Sequence, residues 1–236
     1  MPIKSLASPL RTLPALLAAC ISLSAGAGDF LSAYKGVPYR DSRYTGGAQA
    51  IPGRVQCAYY DLGGEGVAYH DTTEKNEGSG GLNPADGTYL NEFRMREAVD
   101  TSYTKFHDAI DNNPFDRVLL PKDQLYVGWT EPGEWFNMTV AVERAGVYTI
   151  DLLYTSNRGG TISLDRNGKP LGSPINISST RNDSEPVAWR QWHHWNVMTN
   201  LVTVELHKGV SVLTVHIVTE GNMNLAYLDF RLKAPH

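Results

Sequence analysis

The tryptophans are the residues whose type and spacing point most directly to a chemistry. Two of them flank a Pro-Gly turn in VGWTEPGEW, at Trp129 and Trp135, and three more follow at three-residue spacing in AWRQWHHWNV, at Trp189, Trp192 and Trp195. Because strand side chains alternate between two faces, residues three apart cannot all share one buried face. Some of these rings are therefore expected in loops, where a flat aromatic face can stack on the C–H face of a sugar ring.

The strength of such stacking follows from the area that it buries. Half of a tryptophan surface of roughly 200 Å², at about 25 cal/mol per Å², contributes about 2–3 kcal/mol. Two stacked faces, less the cost of association, predict a dissociation constant between about 1 µM and 1 mM. The alternative interpretation is structural, with tryptophans that cap the edges of a β-sandwich.

Metal and nucleophile chemistry have weaker signals. The tight pairs His193-His194 and His70-Asp71 lack the spacing of a metal site, and neighbouring strand residues point to opposite faces. We interpret these histidines as solvated or packing residues. No Gly-x-Ser-x-Gly elbow is present, and Cys57 lies in the apolar stretch RVQCAYYD, which indicates a buried, inert thiol.

Glycoside cleavage would need two carboxyl groups facing each other across a cleft. The sequence offers five candidates, but their spacing does not show that any two of them meet: Glu65, Asp71, Glu131, Glu134 and Asp229. We therefore assign no catalytic residue.

The composition is that of one globular domain. The chain has 236 residues, of which 42% are apolar and 19% charged, enough for a sizeable core. Its formal net charge is -4, and it contains no run of Lys and Arg, which argues against a nucleic-acid partner.

The N-terminus has the pattern of a targeting segment. Residues 1–27 combine two basic residues, a short apolar stretch and an Ala-Gly-Ala cleavage site, which together predict a signal peptide and a secreted or periplasmic protein. The apolar stretch is too short for a membrane span. The alternative is a lipobox at residues 17–20 (LAAC), which would anchor the protein through a lipid on Cys20.

Short alternating strands dominate the rest of the chain. Residues 28–50 lack periodicity and are interpreted as a leader or linker, and residues 51–236 as the domain. Residues 82–122 are expected to form an extended loop with one short helical turn. Strands are predicted in 134–143, 146–156, 160–172 around an Asn-Gly turn, 201–221 around Lys208-Gly209, and 222–232. This spacing is typical of an all-β sandwich or barrel.

Four segments resemble family 6 carbohydrate-binding modules. They occur in the family's order and span most of residues 51–233: IPGRVQCAYYDLGGEGVAYHDTT, YVGWTEPGEWFNMTV, WHHWNV and NMNLAYLDF. The resemblance implies a jelly-roll β-sandwich of two antiparallel sheets, similar to galactose-binding domains.

The resemblance also implies a binding cleft. A sugar would be clamped between Trp129 and Trp192, with a hydrogen bond from Asn224, and Trp189 is the alternative to Trp192 because WRQW has the same spacing. Glu65 and Tyr69 are expected at the rim.

A structural calcium ion is a second implication, and the sequence weakens it. Many family members carry an acidic pair in the first strand, where this chain has Gln56 followed by Cys57. Asp229 on the last strand remains. Calcium prefers several oxygen ligands, so a site at Gln56 and Asp229 stays open.

The leading function is therefore non-catalytic binding of a polysaccharide or oligosaccharide by a monomer. One alternative is a hydrolase or lyase on a jelly-roll scaffold. The other is a structural or assembly domain whose cleft is closed by residues 82–122.

Overall fold

The computed structural model describes residues 27–234, and the predictions of a signal peptide and of a lipobox at Cys20 lie outside them. The described chain is almost entirely β. One helix (α1, Ala27–Ala33) is followed by thirteen strands. The strands are β1 Gln49–Ile51, β2 Gly53–Gln56, β3 Tyr69–His70, β4 Thr101–Tyr103, β5 Leu125–Val127, β6 Trp135–Val142, β7 Gly146–Ser156, β8 Gly160–Arg166, β9 Lys169–Pro170, β10 Ile175–Ile177, β11 Asn196–Leu206, β12 Gly209–Thr219 and β13 Met223–Leu232. Among residues 27–234, no helix is long and apolar enough to cross a membrane.

The strands form two sheets, which confirms the predicted all-β jelly-roll sandwich. One sheet has the order β1-β6-β12-β8-β10, with β3 also on β6 and β9 on β8. The other has the order β11-β7-β13-β5-β4, with β2 on β13. The pairings are antiparallel except that of β1 with β6, which is parallel.

Alternation along the long strands builds the core between the sheets. The predicted inward faces are buried: Phe136, Met138, Val140 and Val142 on β6, and Tyr148, Ile150, Leu152 and Tyr154 on β7. The hairpin at Asn167-Gly168 forms as predicted between β8 and β9. Two strands also flank Lys208-Gly209 as predicted, but they belong to different sheets, so this turn carries the chain from β11 in one sheet to β12 in the other. The positive φ of Asn167 (52°) and Gly168 (69°) suits a two-residue hairpin turn.

A second apolar cluster lies on the outer face of the β4-β5-β13-β7-β11 sheet. Leu153, which follows the inward Leu152, packs there with Tyr126, Trp195 and Tyr227. Val118 and Leu120, from residues 82–122, cover this cluster. That segment contains a short turn at His107–Ala109, where a helical turn was expected, but Asp108 and Ala109 have left-handed φ values of 55° and 52°. It also contains strand β4, which was not predicted.

The segment before residue 51 packs on the sandwich. The Tyr34 hydroxyl donates a hydrogen bond to Asp61 Oδ2 at 2.8 Å, and Val37 forms a β-bridge with Leu62. Tyr39 is buried in a third cluster with Phe93. β1, which begins at Gln49, then extends the sheet beside β6.

Candidate functional site

Aromatic side chains from β4, from β5 and from two loops line one cavity of about 700 Å³. Residues 82–110 form one wall, the turn after β5 another, and the loop before β11 the third. The aromatic lining consists of Tyr103, Tyr126, Trp129, Trp189 and Trp192. Asn91, which is half-buried, adds a neutral polar group that can exchange hydrogen bonds with hydroxyl groups, whereas Asn83 and Ser102 are almost completely buried and bond to Lys105.

Trp129 is held in an unusual backbone conformation. Its φ of 48° lies in the left-handed region, which costs about 1–3 kcal/mol for a residue other than glycine. The next residue fixes the turn, because Thr130 Oγ1 donates to the Met223 carbonyl and accepts from the Met223 N–H at the start of β13. Trp129 is half-buried and packs beside the Tyr126 cluster. Trp135 begins β6 and does not line the cavity.

The loop before β11 presents two tryptophans rather than one. Trp189 lies in the short helical turn Ala188–Arg190 and is 53% exposed, whereas Trp192 is half-buried. Both rings meet the His193 ring edge-on, with centroids 5.8 Å and 4.5 Å away. Thr180 Oγ1 donates to the Trp192 carbonyl at 2.7 Å, which anchors the loop. The two residues that the sequence treats as alternatives thus line the same cavity.

Trp195 has a structural place. It is completely buried, and its Nε1–H donates to Asp111 Oδ1 at 2.8 Å. Its backbone N–H donates to Asp116 Oδ1, and Arg117 N–H donates to its carbonyl. These bonds tie the loop that carries Trp192 to residues 111–117.

Asn224 lies behind the cavity and is not among its lining residues. It is 1% exposed, and its Nδ2 donates to Thr155 Oγ1 at 2.9 Å and lies 3.3 Å from His193 Nε2. His193 therefore stands between Asn224 and the cavity. Gly128 leaves room for this arrangement, because a Cβ atom there would lie 2.7 Å from Asn224 Oδ1.

The two expected rim residues lie elsewhere. Tyr69 is 5% exposed in the main core, where its hydroxyl accepts a hydrogen bond from the Ala98 N–H. Glu65 is exposed and pairs with His70 Nδ1 at 2.5 Å. The structure thus brings Trp129 and Trp192 together and keeps both Glu65 and Tyr69 away from them.

Three of the five candidate carboxylates gather beside the Pro-Gly turn. Thr72 Oγ1 lies 2.7 Å from Glu134 Oε1 and 2.9 Å from Glu131 Oε2, and its single O–H proton can donate to either. Glu131 N–H donates to Glu134 Oε2. Burial raises the pKa of Asp71 and of Glu134, and each carboxylate also interacts unfavourably with a neighbouring acid. This cluster does not line the cavity that contains Trp129, Trp189 and Trp192, hereafter the tryptophan cavity.

The position where calcium is implied holds an amide network. Gln124 Nε2 donates to Gln56 Oε1 at 2.7 Å, and Gln49 Nε2 donates to the carbonyls of Gln56 and Tyr59. Asp229 pairs in register with Arg54 on β2. Over residues 27–234, no group of three His, Cys, Asp or Glu side chains could hold a metal ion. Amide N–H groups donate to the Gln56 oxygens, so a calcium ion bound there would have to replace these hydrogen bonds.

The residues that sequence reasoning missed are Lys105, Tyr103 and His193. All three line the cavity. His193 carried a weak signal, since it adjoins Trp192, whereas Lys105 lies in residues 82–122, where the sequence predicts an extended loop.

Comparison with known proteins gives matches among solved structures. No protein-family model matches the sequence, and the comparison with curated proteins gives no match. A family 6 module from Clostridium stercorarium in complex with cellobiose is 12% identical, with 80% of this chain and 100% of that chain covered and a TM-score of 0.47.

Two further structures are of the same kind. A β-1,3-glucan-binding family 6 module from Bacillus halodurans is 16% identical, with 78% and 98% covered and a TM-score of 0.46. A module of Cellvibrio mixtus lichenase 5A in complex with cellotriose is 22% identical, with 47% and 79% covered and a TM-score of 0.38. The chain is thus similar at low identity to family 6 carbohydrate-binding modules among solved structures.

Proposed function

We propose that this protein binds a polysaccharide or oligosaccharide in the tryptophan cavity without cleaving it. The observation that carries the proposal is that Trp129, Trp189 and Trp192, from two separate loops, line one cavity. Each of the three keeps exposed surface. A sugar ring has apolar C–H faces and polar edges, and it needs a site that offers both kinds of contact.

The polar neighbours supply the second half of that requirement. The half-buried Asn91 and Tyr103 line the same cavity, and their amide and hydroxyl groups can bond to sugar hydroxyl groups. Asn83 and Ser102 are almost completely buried and bond to Lys105 instead. Asn224 supports the site from behind, through its contact with His193. At about 2–3 kcal/mol for each stacked face, two or three faces support a moderate affinity rather than a tight one.

The test is the double variant Trp129→Ala, Trp192→Ala. We expect it to lose retention in native gels that contain the polysaccharides bound by the wild-type protein, because both stacking faces are gone. Trp135→Ala is the matched control, since it removes a half-buried tryptophan that does not line the cavity. Thermal unfolding of all three proteins checks that each is folded.

If the double variant is still retained in the gel, the cavity is not the binding site. Release of reducing ends or of unsaturated products from the bound polysaccharide would instead indicate cleavage. That result would direct attention to the carboxylates around Thr72.

A further inference from the structure

The tryptophan cavity contains no acidic side chain. The chain has 25 Asp and Glu residues against 21 Lys and Arg, yet none of the described residues that line this cavity is Asp or Glu. Its lining includes Lys105, together with His107 and His193. The cavity therefore has a positive character in a protein whose formal net charge is negative.

The Lys105 ammonium group is held by neutral oxygens. Its Nζ donates to Asn83 Oδ1 at 2.6 Å and to Ser102 Oγ at 3.3 Å, and it lies 4.6 Å from the centroid of the Tyr103 ring. Within residues 27–234, no carboxylate lies within ion-pair distance of it, 4.0 Å. The side chain is half-buried, and this burial lowers the pKa of Lys105. A partly desolvated cation without a counter-charge is a costly arrangement that an anionic ligand would relieve.

Asp111 is the carboxylate that contacts the Lys105 backbone, and both of its oxygens already accept hydrogen bonds beneath the cavity. Asp111 Oδ2 accepts the backbone N–H of Lys105 at 2.8 Å. Its Oδ1 accepts the Nε1–H of Trp195 and lies 3.4 Å from His193 Nδ1. Asp111 partly opposes the lowering of the Lys105 pKa, but it forms no ion pair with the Lys105 ammonium group.

A second cavity of about 710 Å³ continues from Lys105 away from the tryptophans. The two cavities share Asn91, Tyr103, Lys105 and His107, and the second adds Arg43 and Lys122 to the cations. Asp86 and Asp123 also line the second cavity, so its cations exceed its carboxylates by one if histidine is neutral. Lys105 is the cation left over in both cavities, because the other charges of the second cavity balance each other. It thus lies where an aromatic cavity meets a more polar one.

We propose that the glycan recognised here is anionic, and that Lys105 binds an acidic substituent on a sugar whose ring stacks in the tryptophan cavity. This inference rests on the proposed function and names its ligand class. The substituent is a carboxylate or a sulfate ester, since an ammonium group on a flexible stem binds either as a point charge.

The first experiment compares matched polymers with the purified protein, by affinity electrophoresis and isothermal titration calorimetry. One arm uses polygalacturonate and its carboxyl-reduced form. The other uses a sulfated galactan and its desulfated form. We expect at least tenfold tighter binding to the acidic member of one pair, and that pair identifies the substituent. Equal binding within both pairs, or tighter binding to the neutral members, overturns the inference.

The second experiment removes the charge alone. Lys105→Met keeps the apolar stem and is expected to lower the affinity for the acidic polymer about tenfold, to that of its neutral counterpart. Lys105→Arg should retain most of the preference. Lys208→Met, in the exposed β11–β12 turn, is the control for net charge. An acidic preference that persists in Lys105→Met would refute the role of Lys105.

Failure of this inference differs from failure of the proposed function. If neutral and acidic polymers bind equally and the Trp129, Trp192 double variant binds neither, only the charge preference is wrong. If the double variant binds as well as wild type, or if the wild-type protein retains no polysaccharide, the proposed function is wrong as well.

Discussion

Asp111 is expected to hold together the two loops that form the cavity. Its Oδ2 accepts the N–H of Lys105, and its Oδ1 accepts the Nε1–H of Trp195. The residue is 1% exposed, so water does not readily replace a lost partner. In Asp111→Asn, one carboxylate oxygen becomes an NH2 group that faces an N–H donor, and at least one charge-assisted hydrogen bond disappears.

The size of the effect follows from these bonds. A hydrogen bond to a charged group contributes about 1.5–3 kcal/mol, and a buried donor left without a partner costs about 1–3 kcal/mol. We expect the free energy of unfolding to fall by about 2–4 kcal/mol. For a domain of this size the melting temperature then falls by about 2–4 °C per kcal/mol. Urea unfolding followed by tryptophan fluorescence measures the change.

Asp108→Asn is the matched control in the same segment. Asp108 is exposed, and its positive φ of 55° is one that asparagine also tolerates. We expect a change below about 0.5 kcal/mol there, as for most surface substitutions. If Asp111→Asn is equally mild, the carboxylate does not hold the loops, and the reasoning about the cavity wall is wrong.

Two further predictions concern protons and metal. Burial, with Asp71, Glu77 and Glu134 nearby, raises the pKa of Asp100 to about 7. The folded state therefore binds more protons than the unfolded state between the two pKa values, so the contribution of Asp100 to stability decreases as pH rises from about 4 to 7. Asp100→Asn should flatten this part of the stability–pH curve measured by thermal unfolding, and an unchanged slope would contradict the assignment. EDTA should leave the melting temperature within about 1 °C of its value with calcium present, because amide N–H groups donate to the side-chain and main-chain oxygens of Gln56. A larger fall on chelation would indicate a calcium site.

Strand positions could be predicted because their signal is local. The alternation through Phe136 to Val142 and through Tyr148 to Tyr154 reflects the two-residue period of a strand, and each stretch carries its own buried face. The turn at Asn167-Gly168 is equally local, since it depends on residues that tolerate positive φ. β4 was missed because three residues within a long irregular segment give too short a pattern to recognise.

Trp129 and Trp192 were predicted as binding residues from the family resemblance rather than from spacing, and the structure brings both to one cavity. The resemblance also predicted Tyr69 and Asn224 as binding residues. Tyr69 is buried in the core, and Asn224 lies behind His193. A motif specifies a residue type at a position in the chain, but it does not specify how many side chains separate that residue from the surface.

By itself, the sequence determined that this protein is an all-β sandwich with several tryptophans outside its strands. The tertiary structure decided which of those tryptophans share a cavity and which one, Trp195, is buried beneath it. It also decided that Lys105 joins them with no carboxylate of residues 27–234 within 4.0 Å of its ammonium group. The physical reason is that periodicity is set by neighbours along the chain, whereas the meeting of three loops depends on strand pairing and packing between distant residues.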